Sequence, residues 1–225
     1  MRIRVLSDLH LEFHRRPEKA KIFDDVACDV VVLAGDIHNG VKGIEWAART
    51  FDRPVVYVLG NHEYYEQDAD LLIRDARARA EALGIQLLEK DEVRIDGYRF
   101  LGCTLWTDFS LGTEPRYVHA CLADELLSDF RMIRYQGSKV TLDAVSRWHT
   151  KSRRRLASKP NKSVSQRICT DTGTTWALSN QRGYLDESGS GFRKDYCLHL
   201  LQSFSANYAE SSSVGLLQDW FVNFP

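Results

Sequence analysis

The first hundred residues alternate between short apolar runs and amphipathic stretches of helical period. Runs rich in β-branched residues predict three strands, at residues 3–7, 29–34 and 54–59. Residues 41–50 and 68–83 carry apolar side chains at helical spacing, and Gly84 follows in the position where a glycine commonly ends a helix. Strands that alternate with helices predict a parallel sheet with right-handed crossovers.

The pattern changes after Gly84. Short apolar runs predict three more strands, at residues 85–88, 92–95 and 99–105. Asp96-Gly97 is typical of a hairpin turn, and helical periodicity predicts helices at residues 118–127 and 142–156. The remaining chain predicts a polar loop at 160–175, a short strand at 176–178, a Gly/Ser turn at 186–193, and helical stretches over 196–224 broken by three serines at 211–213.

Composition places the chain among single-domain globular proteins. Its 225 residues are 44% hydrophobic, which is enough for one core, and we expect one domain over residues 1–225. The chain has no apolar run of about 18 residues and begins with a strand-like segment instead of a signal-peptide core, so we expect no membrane contact and a cytoplasmic location. The formal net charge of -1 argues neither for nor against nucleic acid. The basic face of helix 142–156 is interpreted as a solvated surface, and nucleic acid is not an expected partner because no aromatic residue beyond Trp148 interleaves the basic stretch.

Three polar clusters follow the first three predicted strands. They are Asp8-Leu9-His10, Gly35-Asp36-Ile37-His38 and Gly60-Asn61-His62-Glu63. Because parallel strands end at one edge of a sheet, these clusters are expected to converge there. Their carboxylate, imidazole and amide groups are the oxygen and nitrogen ligands of a divalent metal site.

Each cluster alone has an ordinary structural interpretation. An Asp after a strand can be a helix cap, Gly-Asp is a common turn, and Gly-Asn-His can be a loop that tolerates positive φ. All three in order, each after an apolar strand, favour a shared site. Asp8 and His10 then lie on one face of an extended segment, and Asp36 is the natural bridging carboxylate.

These clusters resemble the signature blocks of the calcineurin-like metallophosphoesterase superfamily, here as DLH, GDIH and GNHEYY. The resemblance extends over residues 1–158 and includes a weaker match at 178–184. It implies an α/β fold, a sandwich of two sheets flanked by helices. It also implies hydrolysis of a phosphomonoester or phosphodiester by water activated by divalent manganese, iron or zinc, so the implied partner is a phosphate-ester substrate.

The resemblance assigns roles residue by residue. It implies that Asp8 and His10 bind a first metal, that Asp36 bridges two metals, and that Asn61 binds the second. It implies that His62 protonates the leaving group or stabilises charge on the phosphoryl group. Three further residues are expected to contact the substrate or to support these side chains: His38, Glu63 as the residue that orients His62, and Arg182 in the stretch LSNQRGY.

Two later histidine blocks of the family, a THH-type strand end and a GHxH-type loop, are not found in the 225 residues. After His149 only His199 remains, and it could serve as a ligand only if the tail folds back over the strand ends. We therefore expect one bound ion in preference to two, and a C-terminal part that is truncated or rebuilt. A homodimer that shares strands is one open solution, and a catalytically impaired remnant acting as a binding protein is the alternative function.

Overall fold

The parallel strands at the centre of the molecule position the three loops that carry the polar clusters. The computed structural model describes residues 1–14, 26–110 and 115–158 with their side chains, and four later strands by their backbone. The strands are β1 Arg2–Leu6, β2 Val30–Ala34, β3 Val55–Val58, β4 Gln86–Leu87, β5 Asp91–Ile95, β6 Tyr98–Gly102, β7 Arg134–Tyr135, β8 Ser138–Lys139, β9 Val164–Cys169, β10 Thr174–Asn180, β11 Tyr196–Gln202 and β12 Trp220–Asn223. The helices are α1 Lys42–Thr50, α2 Ala69–Leu83, α3 Arg116–Leu126, α4 Asp129–Met132 and α5 Leu142–Ala157.

Two five-stranded sheets form the framework. The first has the order β12-β1-β2-β3-β4, in which β1 to β4 run parallel and β12 pairs antiparallel with β1. The second has the order β5-β6-β11-β10-β9, in which only β6 and β11 are parallel. Two sheets with flanking helices confirm the predicted α/β class.

The buried strand β2 shows why the first sheet is covered on both faces. Val30 and Val32 pack with Phe100 of β6 in the core between the sheets. The alternate residues Val31 and Leu33 pack in a second core on the helix side. Since successive strand side chains point to opposite faces, the run VVVLA is apolar throughout because both faces are buried.

The sequence signals for helix ends and for the hairpin are confirmed. Gly84 ends α2 with φ 72°, and its N–H donates to carbonyl oxygens of the last turn. The side chain of Asp68 caps the start of α2 by accepting from the N–H of Asp70. Asp96 and Gly97 both have positive φ, 50° and 80°, as a two-residue turn between β5 and β6 requires.

The predictions for the C-terminal region are partly wrong. The expected loop at 160–175 contains β9 and the first residues of β10, and the expected helical tail contains β11 and β12. The short strand at 176–178 is confirmed within β10. β11 pairs with β6 and β12 pairs with β1, so distant partners decide these strands, and local periodicity does not reveal such partners. The predicted turn at 186–193 and the three serines lie outside the described residues.

The part of the chain after residue 158, which we expected to be truncated or rebuilt, contributes strands β9 to β12. Both sheets take strands from beyond residue 158: β12 joins the first sheet, and β9, β10 and β11 join the second. The backbone of His199 lies in β11 opposite Leu101 of β6. Among the helices that the structure describes, none is long and apolar enough to cross a membrane.

The close approach of the two sheets at Gly102 gives a stability prediction. A Cβ atom at this position would lie 2.8 Å from the Leu88 Cβ and 2.8 Å from the Val58 Cγ2. Gly102→Ala should therefore lower the free energy of unfolding by about 1–3 kcal/mol, as overpacked cores do. Urea unfolding at equilibrium measures this loss.

The matched control is Gly97→Asn, which adds a larger side chain where a Cβ meets nothing within 4 Å. Asn adopts left-handed backbone at small cost, so this variant should stay within about 1 kcal/mol of the parent. Equal losses for the two variants would show that crowding between the sheets is not the cause.

Candidate metal centre

The loops that follow β1, β2 and β3 are joined by their backbones. The N–H of Asp8 donates to the Gly35 carbonyl at 3.1 Å, and the N–H of His10 donates to the Asp36 carbonyl at 2.9 Å. Gly35, with φ 87°, lies against the third loop so closely that a Cβ there would be 2.9 Å from the Gly60 Cα. The expected convergence of the three clusters is confirmed.

Three side chains of the predicted site sit on left-handed backbone. Asp8, His10 and Asp36 have φ of 54°, 44° and 57°. This conformation costs roughly 1–2 kcal/mol for a residue with a Cβ, so the surrounding hydrogen bonds must hold it. Such strain concentrates at functional sites, where it aims side chains that a relaxed strand end would point elsewhere.

Gly60 is required because Asp36 occupies the space beside it. A Cβ at residue 60 would lie 2.0 Å from the Asp36 Oδ1 and 2.5 Å from the Asp36 backbone nitrogen. The same Oδ1 accepts the backbone N–H of His62 at 3.0 Å. The third loop therefore wraps directly around the Asp36 carboxylate.

The first group of candidate ligands is Asp8, His10 and Asp36. One ligand atom from each lies within 4.8 Å of the others. Burial raises the pKa of Asp36 to about 6, with His62 and Asp8 acting in opposite directions on it. A divalent cation would favour the ionised carboxylate, and two carboxylates with one imidazole are a donor set that transition metals accept. The residues present therefore fit the metal that the sequence predicts.

A second group includes Glu12, which is not among the predicted site residues. The Glu12 Oε1 lies 2.7 Å from the Nδ1 of His62 and 3.4 Å from the Nδ1 of His10, and the two Nδ1 atoms are 3.2 Å apart. Burial alone would raise the pKa of Glu12, but hydrogen bonds with His10 and His62 outweigh it and lower this pKa to about 2. Glu12 follows His10 by two residues, a spacing that could have revealed it.

Glu63 joins the second and third loops. Its buried carboxylate accepts from the N–H groups of Asp36, Ile37 and Gly60 at 3.0, 2.9 and 2.7 Å. It also accepts from the Tyr57 hydroxyl at 2.8 Å. Burial and the charge of Asp36 raise the pKa of Glu63 to about 7. Glu63 thus holds the backbone of the loops on either side of it, and its role in orienting His62 stays a prediction.

Asn61 is held by a residue that no sequence signal identified. Its Nδ2 donates to the Asp129 Oδ1 at 2.9 Å and to the Tyr65 hydroxyl oxygen at 3.2 Å. The Tyr65 hydroxyl donates to the same Asp129 oxygen at 2.8 Å. These contacts orient the amide group through its nitrogen, and an amide binds a metal ion through its oxygen. Asp129 stands 68 residues further along the chain, so only the fold brings it here.

Of the remaining predicted site residues, His38 lies in the described part of the chain and Arg182 does not. The Nδ1 of His38 is buried and has no hydrogen-bond partner among the described residues, and burial lowers the pKa of this side chain. A buried ring nitrogen of this kind is expected to pair with an ordered water molecule, and the predicted contact of His38 with a substrate stays a prediction. Arg182 and the side chain of His199 lie outside the described residues.

Comparison with known proteins identifies the class. Residues 1–120, more than half of the chain, match the family model for the calcineurin-like phosphoesterase superfamily domain. The chain therefore belongs to this superfamily, which indicates divalent metal use and metal-dependent phosphoester hydrolysis at the level of the superfamily.

One curated relative is uncharacterized protein L509 of Acanthamoeba polyphaga mimivirus. It is 26% identical over 173 residues, which cover 67% of this chain and 59% of that protein. The chain thus matches little more than half the length of this relative.

The role of Glu63 gives a second stability prediction. Glu63→Gln replaces one acceptor oxygen with an amide nitrogen, so at least one buried donor loses its partner. At about pH 8.5, where the carboxylate is ionised, we expect the free energy of unfolding to fall by roughly 2 kcal/mol. Urea unfolding measures it, with the exposed Glu81→Gln as the matched control. A loss no larger than that of Glu81→Gln would contradict the role of Glu63.

Asp129 gives a third prediction because the Asn61 amide and the Tyr65 hydroxyl both donate to its Oδ1. Asp129→Ala leaves the Asn61 amide and the Tyr65 hydroxyl without this acceptor, at a cost of about 1–3 kcal/mol in unfolding free energy. Asp129→Asn keeps an acceptor oxygen and should retain most of the stability. Thermal unfolding of the two variants side by side distinguishes them. Equal loss in both would mean that the charge of Asp129, and not its acceptor oxygen, matters.

Proposed function

We propose that this protein hydrolyses a phosphomonoester or phosphodiester with the help of a divalent metal ion. The observation that carries the proposal is the convergence of Asp8, His10 and Asp36, whose ligand atoms lie within 4.8 Å of one another. Strained backbone at all three residues supports a functional site over a structural turn. Membership of the phosphoesterase superfamily supplies the reaction class.

The proposed roles follow from the contacts. Asp8, His10 and Asp36 hold the ion, and Asn61 offers its Oδ1 beside them. When bound, the ion polarises the phosphoryl oxygens and lowers the pKa of a water molecule. His62, whose backbone N–H donates to Asp36, is the proposed donor of a proton or of a hydrogen bond to the leaving oxygen.

One bound ion is proposed in preference to two. The first position has two carboxylates and an imidazole, whereas the second position that the resemblance implies would share Asp36 and take the amide oxygen of Asn61 from the described residues. Two oxygen ligands and water hold a transition metal weakly. Manganese, iron and zinc all accept the mixed oxygen and nitrogen donors of the first position.

A second candidate function is metal binding without turnover. It is favoured by the histidine count, since only His199 follows His149 in the sequence. In this case the fold and the first ligand group persist, and the surface acts in binding. Metal content together with turnover separates the two candidates.

Asp36 gives the decisive variant. Asp36→Asn keeps the size of the side chain and removes the charge that would hold the ion. We expect hydrolysis of 4-nitrophenyl phosphate and of bis(4-nitrophenyl) phosphate with manganese, iron or zinc to fall by more than about 100-fold, beyond the usual effect of losing a residue that only supports a ligand. Initial rates over a range of metal concentrations measure this.

The matched control is Asp52→Asn, which removes an exposed carboxylate and should leave the rate unchanged. Metal content is measured on the same samples by elemental analysis. One equivalent of metal with turnover supports the hydrolase. Clean protein that retains one equivalent without turnover for any of the three metals favours the binding protein, and protein without metal contradicts both.

A further inference from the structure

We propose that Glu12 is the positioning residue of His62: it accepts a hydrogen bond from the Nδ1–H of His62 and so presents the opposite ring nitrogen, Nε2, to the substrate. The inference deepens the proposed function and rests on it for its catalytic meaning. Its structural content, the protonation pattern of one imidazole ring, is independent of turnover.

The distance between Glu12 and His62 distinguishes a direct hydrogen bond from a shared metal ion. Two atoms bound tetrahedrally to one ion at about 2.0–2.1 Å lie roughly 3.3–3.4 Å apart. The Glu12 Oε1 and the His62 Nδ1 are 2.7 Å apart, which is the length of a charge-assisted hydrogen bond. The other two separations in this group, 3.4 Å from Oε1 to the Nδ1 of His10 and 3.2 Å between the two Nδ1 atoms, are compatible with a shared ion, so metal content is measured in the variants below.

The side-chain partners of the Glu12 carboxylate are two imidazoles, and the backbone of its own residue also hydrogen-bonds to it. Its second oxygen, Oε2, is buried and has no hydrogen-bond partner in the described part of the chain. Glu63, in contrast, uses both oxygens to hold four donors of the loop framework. Glu12 does not join separate loops in this way, so its carboxylate is placed to act on the imidazoles.

The elements around His62 fix both partners. Glu12 lies in the short 3₁₀ helix Leu11–Phe13, whose first N–H donates to the Ile37 carbonyl at 2.9 Å. The ring of His62 packs against Tyr65, with centroids 4.3 Å apart, and edge-on against Phe13 at 6.2 Å. Rotation of the imidazole is therefore limited, and the side-chain exposures of 18% for His62 and 12% for Glu12 leave little water to compete for Nδ1.

The proton balance of the step is simple. His62 would donate the proton on Nε2 to the leaving oxygen as the bond between phosphorus and that oxygen breaks and the bond to an attacking hydroxide forms, and the proton lost when that hydroxide forms from water would pass to solvent. Nδ1 keeps its proton throughout, and Glu12 stays ionised. A carboxylate in this position fixes the tautomer and stabilises the charged ring before transfer, as in other pairs of acid and histidine.

The first test reads the tautomer of His62 directly. Nitrogen-15 NMR of the ring, at a pH high enough to keep the imidazole neutral, is recorded on chelated protein and again with Zn²⁺, which is diamagnetic. We expect the Nδ1–H tautomer in the parent and in Glu12→Gln, which keeps an acceptor oxygen. We expect a shift toward the Nε2–H tautomer in Glu12→Ala.

The second test is a double-mutant cycle on turnover with two substrates, 4-nitrophenyl phosphate and phenyl phosphate, which has the poorer leaving group. His62→Ala and Glu12→Ala should both lower kcat more for phenyl phosphate and change KM little. Loss of the positioning contact should cost about 10–100-fold. Because Glu12 acts through His62, adding Glu12→Ala to His62→Ala should have no further effect.

Three results would overturn the inference. They are an unchanged His62 tautomer in folded Glu12→Ala, additive losses in the cycle, and a bound metal equivalent that disappears in Glu12→Ala but not in His62→Ala, which would make Glu12 a ligand. Melting curves establish that each variant is folded. Parent protein without turnover but with the expected tautomer change would contradict the proposed function and leave the positioning role of Glu12 supported.

Discussion

The buried carboxylate of Glu63 holds the hydrogen bonds on which the site depends. It accepts backbone N–H groups from both sides of the gap between the second and third loops, at Asp36, Ile37 and Gly60. Those loops must stay in register because Gly60 leaves no space for a side chain against the Asp36 carboxylate. Burying a carboxylate is costly unless donors surround it, and here the donors are the loops themselves. Asp8, His10 and Asp36 have positive φ. The N–H groups of Asp8 and His10 donate to carbonyl oxygens of the second loop, which Glu63 holds in turn.

The parts of the fold that depend on neighbouring residues in the sequence could be predicted from it. The β-branched runs before Asp8, Asp36 and Asn61, together with the rule that parallel strands end at one edge, were enough to predict convergence of the three loops. Glu12 and Asp129 were missed for different reasons. Glu12 lies two residues from His10, and an alternating Asp-x-His-x-Glu pattern could have indicated it. Asp129 reaches Asn61 only through the fold, across 68 residues of sequence.

The same distinction explains the C-terminal errors. The segment at 160–175 is polar and the tail has mixed periodicity, so local rules predicted a loop and helices. Strand β11 gains its partner from β6 and strand β12 from β1, far earlier in the chain. When a strand forms because it pairs with a sheet edge far away in the sequence, the residues around it do not reveal the strand. These strands complete two sheets, while the ligand set described here comes entirely from the loops after β1, β2 and β3.

We propose a metal centre built by the N-terminal half of the chain, with Asp8, His10 and Asp36 as its ligands. A carboxylate contacts each of two neighbouring side chains: Asp129 accepts from the Asn61 amide, and Glu12 contacts the His62 ring. The most direct measurement is a crystal structure of the protein grown with Mn²⁺ or Zn²⁺, with data collected at the absorption edge of that metal. If these three residues are the ligands, one strong anomalous peak should lie within about 2.0–2.3 Å of ligand atoms of Asp8, His10 and Asp36. A peak bound elsewhere, or none at these three residues at saturating metal, would contradict the proposed metal centre.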